Sequence, residues 1–237
     1  MSPSPGTTDA AGPSGPTRGQ PAPSRAGRDG NARHRVDPVG NSLSAAWPAY
    51  DEQTAARLHR RLEAAAGRCG LIEVAFRRID SAVGSLLLAA TDEGLVRVAF
   101  AVEDHDRVLA ELAERVGPRI LEAPARLDDA ARQLEAYLGG RLVRFELSVD
   151  LRLAGGFRRE VLQFLATTSY GSTFSYAEVA AAVGRPRAVR AVGTACARNP
   201  LPLVVPCHRV VRSDGSPGGY LGGDAAKALL LGLEQRP

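Results

Sequence analysis

The chain is poor in several residue types on which whole classes of protein depend. Its 237 residues include three cysteines, one methionine and one tryptophan, and Cys69, Cys196 and Cys207 lie far apart. An odd number of scattered cysteines provides neither a disulfide framework nor the closely spaced ligands of a zinc cluster. No glycine-rich phosphate loop is evident either. The sequence therefore predicts free thiols, no metal site and no cofactor.

Long uncharged apolar runs are also missing. No segment approaches the roughly eighteen apolar residues of a membrane span, and the N-terminus lacks the apolar stretch of a signal peptide. Hydrophobic residues make up 44% and charged residues 24% of the sequence, a balance typical of globular proteins. We therefore expect a cytoplasmic protein without a membrane partner.

Acidic residues are absent from one long segment. Overall the chain carries a formal net charge of +4, which permits binding to a polyanion without demonstrating it. No acid lies between Glu178 and Asp214, and this local charge suits phosphate groups. A packed helix with a solvated arginine face is an equally good interpretation. The arginines of this segment are Arg185, Arg187, Arg190, Arg198, Arg209 and Arg212.

The N-terminal part differs in composition from the rest. Residues 1–45 contain seven of the 16 prolines and no aromatic residue. Such a segment buries too little apolar surface to offset its ordering entropy, so it predicts a disordered tail. Residues 46–70 predict a helical extension, because Leu58, Leu62 and Ala65 recur at spacings of four and three.

Residues 71–153 predict a small α+β domain. Short runs rich in Val, Leu and Ile, separated by turn residues, indicate an antiparallel meander. Alternating apolar residues near the end of this part indicate a further, half-buried strand. The predicted strands cover residues 71–76, 85–90, 95–100 and 144–151. The predicted helices cover residues 108–116 and 127–138.

Residues 154–237 predict a mostly helical domain. The predicted helices cover residues 157–167, 176–183 and 187–197. The last two are joined by a short turn containing glycine and proline, which is the outline of a helix-turn-helix. A helical pair without a role in DNA binding fits equally well. The last helix carries mainly Ala, Gly, Thr and Arg, so it could approach another surface closely.

One cysteine has the surroundings of a nucleophile. Cys207 is followed by His208 and Arg209, whose side chains could activate or stabilise a thiolate. The run from Leu203 to Val205 predicts a buried strand that leads to this cysteine. Buried structural thiols are common, however, so the Cys–His pair alone does not establish catalysis.

The motifs around this cysteine resemble a known family. Residues 168–234 are similar to the C-terminal domain of O6-alkylguanine-DNA alkyltransferases, also called methylated-DNA–protein-cysteine methyltransferases. The weaker similarity of residues 78–150 to the N-terminal domain of that family extends the match over most of the predicted folded part. The shared motifs are Ser175-Tyr176, Arg190–Gly193, Asn199-Pro200 and Pro206–Val210.

The resemblance implies a catalytic role for five residues. Cys207 would accept the alkyl group, irreversibly and once per protein molecule. His208 would act as a base through a water molecule, and Glu234 would orient its imidazole. Tyr176 would donate a proton or hydrogen bond to the departing guanine. Asn199 would brace the turn before the cysteine.

The resemblance also implies a DNA-binding surface and a substrate pocket. A monomer would bind double-stranded DNA containing O6-alkylguanine, and also O4-alkylthymine, with the helix-turn-helix in the minor groove. Arg190 would enter the duplex and replace the flipped nucleotide. The other implied DNA-binding residues are Arg187, Ala188, Ala191 and Thr194. The implied pocket residues are Pro202, Val210, Tyr220, Leu221 and Gly222.

Three rival functions are compatible with parts of the sequence. Lesion-binding relatives that do not transfer alkyl groups lack the acceptor cysteine, whereas Cys207 is present here. Regulators of the alkylation response carry a multi-cysteine zinc domain, which this sequence lacks. A Cys–His hydrolase would turn over repeatedly. One departure from the family pattern is Leu221, which stands where some members have a serine.

Overall fold

A computed structural model of the chain describes residues 51–235. The predicted tail and the first residues of the predicted helical extension lie outside this range. Helix α1 (Glu52–Arg68) begins after Asp51, whose side chain accepts a hydrogen bond from the Thr54 backbone N–H. This is a typical N-cap arrangement. The helix buries none of its residues, so it is a peripheral addition to the folded body.

The central sheet contains four strands. Strands β1 (Val74–Ile79), β2 (Leu86–Thr91) and β3 (Gly94–Phe100) form the predicted antiparallel meander. The short strand β4 (Ile120–Glu122) pairs parallel with β1, which gives the order β3-β2-β1-β4. The sheet is therefore mixed, and its three-residue fourth strand carries too short a pattern to be predicted.

Helices cover both faces of the sheet. Because side chains of a strand alternate between faces, Leu87 and Ala89 of β2 join one apolar cluster while Leu86 and Leu88 join another. The first cluster includes residues of α2 (His105–Arg115). The second includes residues of α3 (Asp128–Leu138) and of the C-terminal helices. Both helices were predicted, to within three residues.

The strand predicted at residues 144–151 is wrong. Only Val149 forms a bridge, with Leu95, while the rest of the segment has no ladder. Phe145 and Leu147 are nevertheless partly buried against the main cluster. The alternation of apolar and polar residues thus results from the half-burial of an extended segment that passes the edge strand β3. It does not report strand pairing.

The C-terminal residues form four helices and a two-stranded pair. Helix α4 (Gly156–Ala166) packs against α5 (Tyr176–Ala182) and α6 (Val189–Ala197). The parallel strands β5 (Phe174–Ser175) and β6 (Val210–Val211) pair Phe174 with Val210. The main apolar cluster contains residues from both halves of residues 71–235. The four-stranded sheet in one half and the mostly helical other half confirm the predicted α+β class. Within residues 51–235, no helix is long and apolar enough to cross a membrane. The last helix of the described residues is α7 (Gly223–Glu234), which was not predicted from the sequence.

Candidate active site

A compact turn before Cys207 positions this residue in the site. Leu203 has a φ of 73°, in the left-handed region that bulky residues rarely adopt. The Val205 N–H donates to the Leu201 carbonyl at 2.8 Å and closes the turn. The strand predicted over Leu203–Val205 is therefore wrong, because the chain reverses where a strand would continue. Backbone strain of this kind concentrates at functional sites.

Asn199 holds this turn and contacts the nucleophile. Its Nδ2 donates to the Val205 carbonyl at 2.8 Å and to Cys207 Sγ at 3.1 Å. Its Oδ1 accepts from the Leu201 N–H at 3.0 Å. The side chain is almost fully buried. The residue predicted to brace the turn does so with three hydrogen bonds, one of them to sulfur.

Cys207 begins a short 3₁₀ helix, Cys207–Arg209, and is only 3% exposed. Burial raises the pKa of its thiol to about 11, although the hydrogen bond from Asn199 and the charge of Lys227 act in the opposite direction. The thiol is therefore protonated at neutral pH. A thiolate, which is the nucleophilic form, forms here only if a neighbouring base takes the proton.

His208 is fully buried beside this thiol in the chain. Its Nε2 lies 3.0 Å from Glu234 Oε1, whereas Nδ1 has no hydrogen-bond partner among residues 51–235. Burial lowers the pKa of the imidazole, more than the carboxylate of Glu234 raises it. The imidazole is accordingly neutral at pH 7 and able to accept a proton.

Glu234, the last residue of α7, is surrounded by donors. Arg209 forms a bidentate pair with it, through Nε at 2.9 Å and Nη2 at 2.8 Å. The Tyr137 hydroxyl donates at 2.6 Å and the Gly171 N–H at 3.0 Å. Burial favours a raised pKa, but hydrogen bonds from His208 and Arg209 outweigh it and hold the pKa of this carboxyl well below its usual range. Glu234 is therefore a fixed negative charge.

Gly171 makes this arrangement possible. Its φ of 75° lies in the left-handed region, and a Cβ at this position would approach the Glu234 carbonyl oxygen to 2.8 Å. A side chain would thus push the α7 terminus away from the loop that binds it.

Three residues of the site were not identified from the sequence: Tyr137, Arg209 in its pairing role, and Lys227. Lys227 is fully buried and its Nζ donates to the Val210 carbonyl at 2.6 Å. The sequence feature that sets Lys227 apart is that it is the single lysine of an arginine-rich chain. No sequence feature indicates a role for Tyr137, because its contact with Glu234 spans 97 residues.

A cavity of about 310 Å³ opens onto the thiol. Cys207, Tyr176, Tyr220 and Leu221 line it, so the cavity brings together two of the implied catalytic residues and two of the implied pocket residues. Burial raises the pKa of the Tyr176 hydroxyl above its ordinary value. The remaining lining residues are Gly193, Cys196, Ala197 and Gly219.

Three predicted pocket residues do not line this cavity. Pro202 is buried in the turn before Cys207. Val210 is buried in β6, with its carbonyl bound by Lys227. Gly222 faces the Phe100 ring, from which an added Cβ would be only 2.6 Å away.

A larger groove of about 1050 Å³ lies elsewhere on the surface. Its charges are of both signs and partly paired, as in the Arg77–Asp128 ion pair at 2.5 Å. No cysteine or histidine lines it. Size alone therefore does not identify the functional cavity, whereas the buried nucleophile does.

The exposed side of α6 carries the predicted DNA-binding residues. Arg190, Ala191 and Thr194 are exposed, while Val192 and Ala195 face the core. Arg187 and Ala188 precede the helix, which begins two residues later than predicted because the turn closed by the Ala188 N–H and the Arg185 carbonyl comes first. No ion pair is formed by Arg187, Arg190 or Arg198 within the described part of the chain. The ion pairs there are those of Arg77, Arg78, Arg97, Arg115, Arg119, Arg126, Arg132, Arg141, Arg152, Arg185, His208 and Arg209.

The other two cysteines differ in environment. Cys69 is exposed, whereas Cys196 is buried and lines the same cavity as Cys207. Burial raises the pKa of Cys196 well above its ordinary value, so it stays a thiol at neutral pH. Among the described residues, no group of three or more His, Cys, Asp or Glu side chains could hold a metal ion.

Two family models match the chain. Residues 156–236 match the DNA binding domain of 6-O-methylguanine DNA methyltransferase. Residues 74–151 match the ribonuclease-like domain of 6-O-methylguanine DNA methyltransferase. Together these segments contain every residue of the site described above.

Curated relatives and solved structures agree with these matches. A methylated-DNA–protein-cysteine methyltransferase of Mycolicibacterium paratuberculosis is 39% identical over 163 residues, which are 69% of this chain and 93% of that protein. One of Methanosarcina barkeri is 39% identical over 160 residues, covering 66% and 94%. The crystal structure of Mycobacterium tuberculosis OGT in complex with DNA has a TM-score of 0.60 and 37% identity, covering 68% of this chain and 92% of that one. This chain therefore belongs to the methylated-DNA–protein-cysteine methyltransferase family.

Proposed function

We propose that this protein repairs DNA by transferring the alkyl group of O6-alkylguanine to its own Cys207. The observation that carries the proposal is a buried thiol at the wall of a 310 Å³ cavity, followed in the chain by a buried neutral imidazole. The named relatives are enzymes that act on methylated DNA and a protein cysteine, and this chain has such a cysteine.

The protonation states of Cys207 and His208 indicate that the thiol loses its proton only when it reacts. With a pKa of about 11, Cys207 holds its proton at pH 7, so a preformed thiolate–imidazolium pair is not favoured. His208 is the base, acting through a water molecule between its Nδ1 and the sulfur, since buried polar atoms such as Nδ1 normally have a partner. Glu234 then stabilises the imidazolium.

The transfer step balances without a cofactor. The sulfur attacks the alkyl carbon, the S–C bond forms, and the bond from carbon to O6 breaks with its electron pair leaving on guanine. The thiol proton moves to His208, and Tyr176 donates to the guanine as negative charge develops on it. Overall, the thiol proton ends on guanine, and the protein keeps a thioether. Because a thioether does not readily return to a thiol, the protein reacts once.

The DNA is bound through the helix-turn-helix of α5 and α6, which approaches the minor groove. The exposed small residues of α6 suit a groove only about 6 Å wide. Arg187 and Arg198, which flank α6 and form no ion pair among residues 51–235, suit phosphates, and Arg190 fills the space of the flipped base. Residues 71–153 and 154–237 act here as two domains of one monomer, with the second carrying the DNA-binding surface.

The experiment that tests this function is a stoichiometric titration. Protein is incubated with excess duplex carrying one radiolabelled O6-methylguanine, and label on the protein is counted over time. We expect a plateau at one methyl per protein molecule. Continued release of product would instead indicate a hydrolase. Binding of the lesion without any transfer would indicate a lesion-recognition protein and overturn the proposal.

A further inference from the structure

Tyr137 joins the site from the other half of the molecule. It lies near the end of α3, within residues 71–153, and is 1% exposed. Its ring contacts Phe145 and Tyr170, with ring centroids 5.0 and 6.2 Å away. Its hydroxyl donates to Glu234 Oε1 at 2.6 Å and lies 3.2 Å from His208 Nε2. The proposed transfer step does not involve this hydroxyl.

These three groups form a closed triangle. The sides are the Tyr137–Glu234 bond at 2.6 Å, the His208–Glu234 bond at 3.0 Å and the Tyr137–His208 approach at 3.2 Å. Glu234 is ionised and only accepts, and the hydroxyl has one proton, which it gives to Glu234. Nε2 can therefore satisfy both neighbours only if it carries a hydrogen.

We propose that Tyr137 is a positioning residue for the alkyl transfer: its hydroxyl donates to Glu234 and accepts from the Nε2–H of His208, which fixes the imidazole against Glu234 with the Nδ1 lone pair free to accept the proton of Cys207. In the opposite tautomer, Nε2 and Glu234 Oε1 would both be acceptors 3.0 Å apart and would compete for one hydroxyl proton. Groups that orient a functional imidazole typically act in this way. This inference rests on the proposed function of Cys207.

The hydroxyl also moderates how strongly Glu234 attracts a proton to the imidazole. The charged and titratable groups facing His208 are Glu234, Tyr137, Arg209, Lys227, Tyr220 and Cys207. Of these, Glu234 is the one that raises the pKa of His208. Because Tyr137 donates to the same oxygen, its removal makes Oε1 a stronger acceptor for the imidazolium. Loss of the hydroxyl therefore raises the pKa of His208.

The test replaces the hydroxyl and keeps the ring. Tyr137→Phe and the matched control Tyr170→Phe each remove one hydroxyl; that of Tyr170 donates to the Leu233 carbonyl at 3.1 Å. Single-turnover methyl transfer is measured between about pH 5 and pH 9, which brackets the ordinary imidazole pKa. For Tyr137→Phe we expect a rate about 10-fold lower near neutral pH, the lower end of typical losses for orienting groups. We also expect the acidic limb of its profile to move to higher pH.

Three outcomes would overturn the inference. One is a Tyr137→Phe protein with the rate and profile of the unmodified protein. Another is a uniform loss at every pH, with no shift of the acidic limb, which would indicate that the hydroxyl serves stability alone. The third is the same shift in Tyr170→Phe. If the unmodified protein itself transfers no methyl group, the proposed function fails first, and the two failures are thus distinguishable.

A second readout needs no transfer. In protein labelled with ¹⁵N-histidine, the ring nitrogen shifts of His208 report its tautomer, and His208→Asn assigns the signals. We expect the Nε2–H form in the unmodified protein, in Tyr170→Phe and in Tyr137→Phe, because the Glu234 carboxylate accepts from Nε2 in each, and a higher pKa of the imidazole in Tyr137→Phe alone. An unmodified protein with the Nδ1–H form would contradict the triangle directly.

Discussion

At the scale of single residues, the site depends on buried polar groups that hold one another through specific hydrogen bonds. Asn199 is the clearest case, because one amide satisfies two backbone groups and contacts Cys207 Sγ. Buried polar groups that lose such partners cost the folded state free energy. The geometry of the nucleophile and the stability of the turn are therefore linked through one side chain.

Asn199→Ala tests this link. It leaves the Val205 carbonyl and the Leu201 N–H without their partner, each at a cost of about 1–3 kcal/mol in the free energy of unfolding. It also removes a hydrogen bond that lowers the pKa of Cys207, so that pKa rises further and transfer slows. Urea unfolding and single-turnover rates measure the two effects. A variant with unchanged stability would show that the turn does not depend on this amide.

Sequence reasoning identified the residues that the motif contains and missed those that only the fold brings in. Cys207, His208 and Asn199 lie within nine residues of one another, so one segment reveals them. Tyr137 reaches Glu234 across 97 residues. Lys227 lies on α7 with no motif around it in the sequence. Long-range contacts of this kind follow from packing, which a local pattern does not encode.

At the scale of elements, most helices of the described residues were predictable, whereas α7 and the short strands β4, β5 and β6 were not, and two predicted strands are wrong. The helical periodicity of α2, α3 and α4 identified them to within three residues. Apolar alternation at residues 144–151 failed because half-burial produces the same pattern without pairing. The run Leu203–Val205 failed because a φ of 73° at Leu203 is a tertiary outcome that overrides the preference of Val for strands.

The exposed side of α6 gives a prediction at this scale. Ala191→Leu places a larger side chain on the side of the helix that we propose to face the minor groove. We expect binding to a lesion-containing duplex to weaken by about 10-fold or more, since overpacking costs about 1–3 kcal/mol. The free energy of unfolding should change by no more than about 0.5 kcal/mol, because the position is exposed.

The matched control for this variant is Ala110→Leu, the same change at an exposed position of α2. Fluorescence anisotropy with a labelled duplex measures both proteins. Equal affinities for Ala191→Leu and Ala110→Leu would show that α6 does not lie against DNA.

At the scale of the whole molecule, the buried ionisable groups make stability depend on pH. The pKa of His208 is lowered below 6.5 by burial, so below pH 6.5 the unfolded chain binds a proton that the folded protein does not. The pKa of Glu234 is held below 4.5 by its hydrogen-bond donors. Below pH 4.5 the unfolded chain therefore binds a proton at Glu234 that the folded protein does not. Both contributions are fully present near pH 7 and are lost as the pH falls.

Urea unfolding at a series of pH values tests this account. We expect the free energy of unfolding to begin falling near pH 6.5 and to fall again below pH 4.5, where Glu234 alone contributes on the order of 2 kcal/mol. In His208→Asn the first part of the decrease should be absent while the second remains. Constant stability from neutral pH down to pH 4.5 would contradict the neutral, buried imidazole on which the mechanism depends.

The most direct test of the central claim locates the transferred group. The protein and its Cys207→Ala variant are incubated with a duplex that contains one O6-methylguanine, or with the same duplex without the lesion, and are analysed by intact-protein and peptide mass spectrometry. We expect one added methyl on the Cys207 peptide. It should be found only in the protein that retains Cys207 and only after incubation with the lesion-containing duplex. A methyl on Cys69 or Cys196, or a protein that carries no added methyl after complete repair of the duplex, would contradict the assignment of Cys207 as the acceptor.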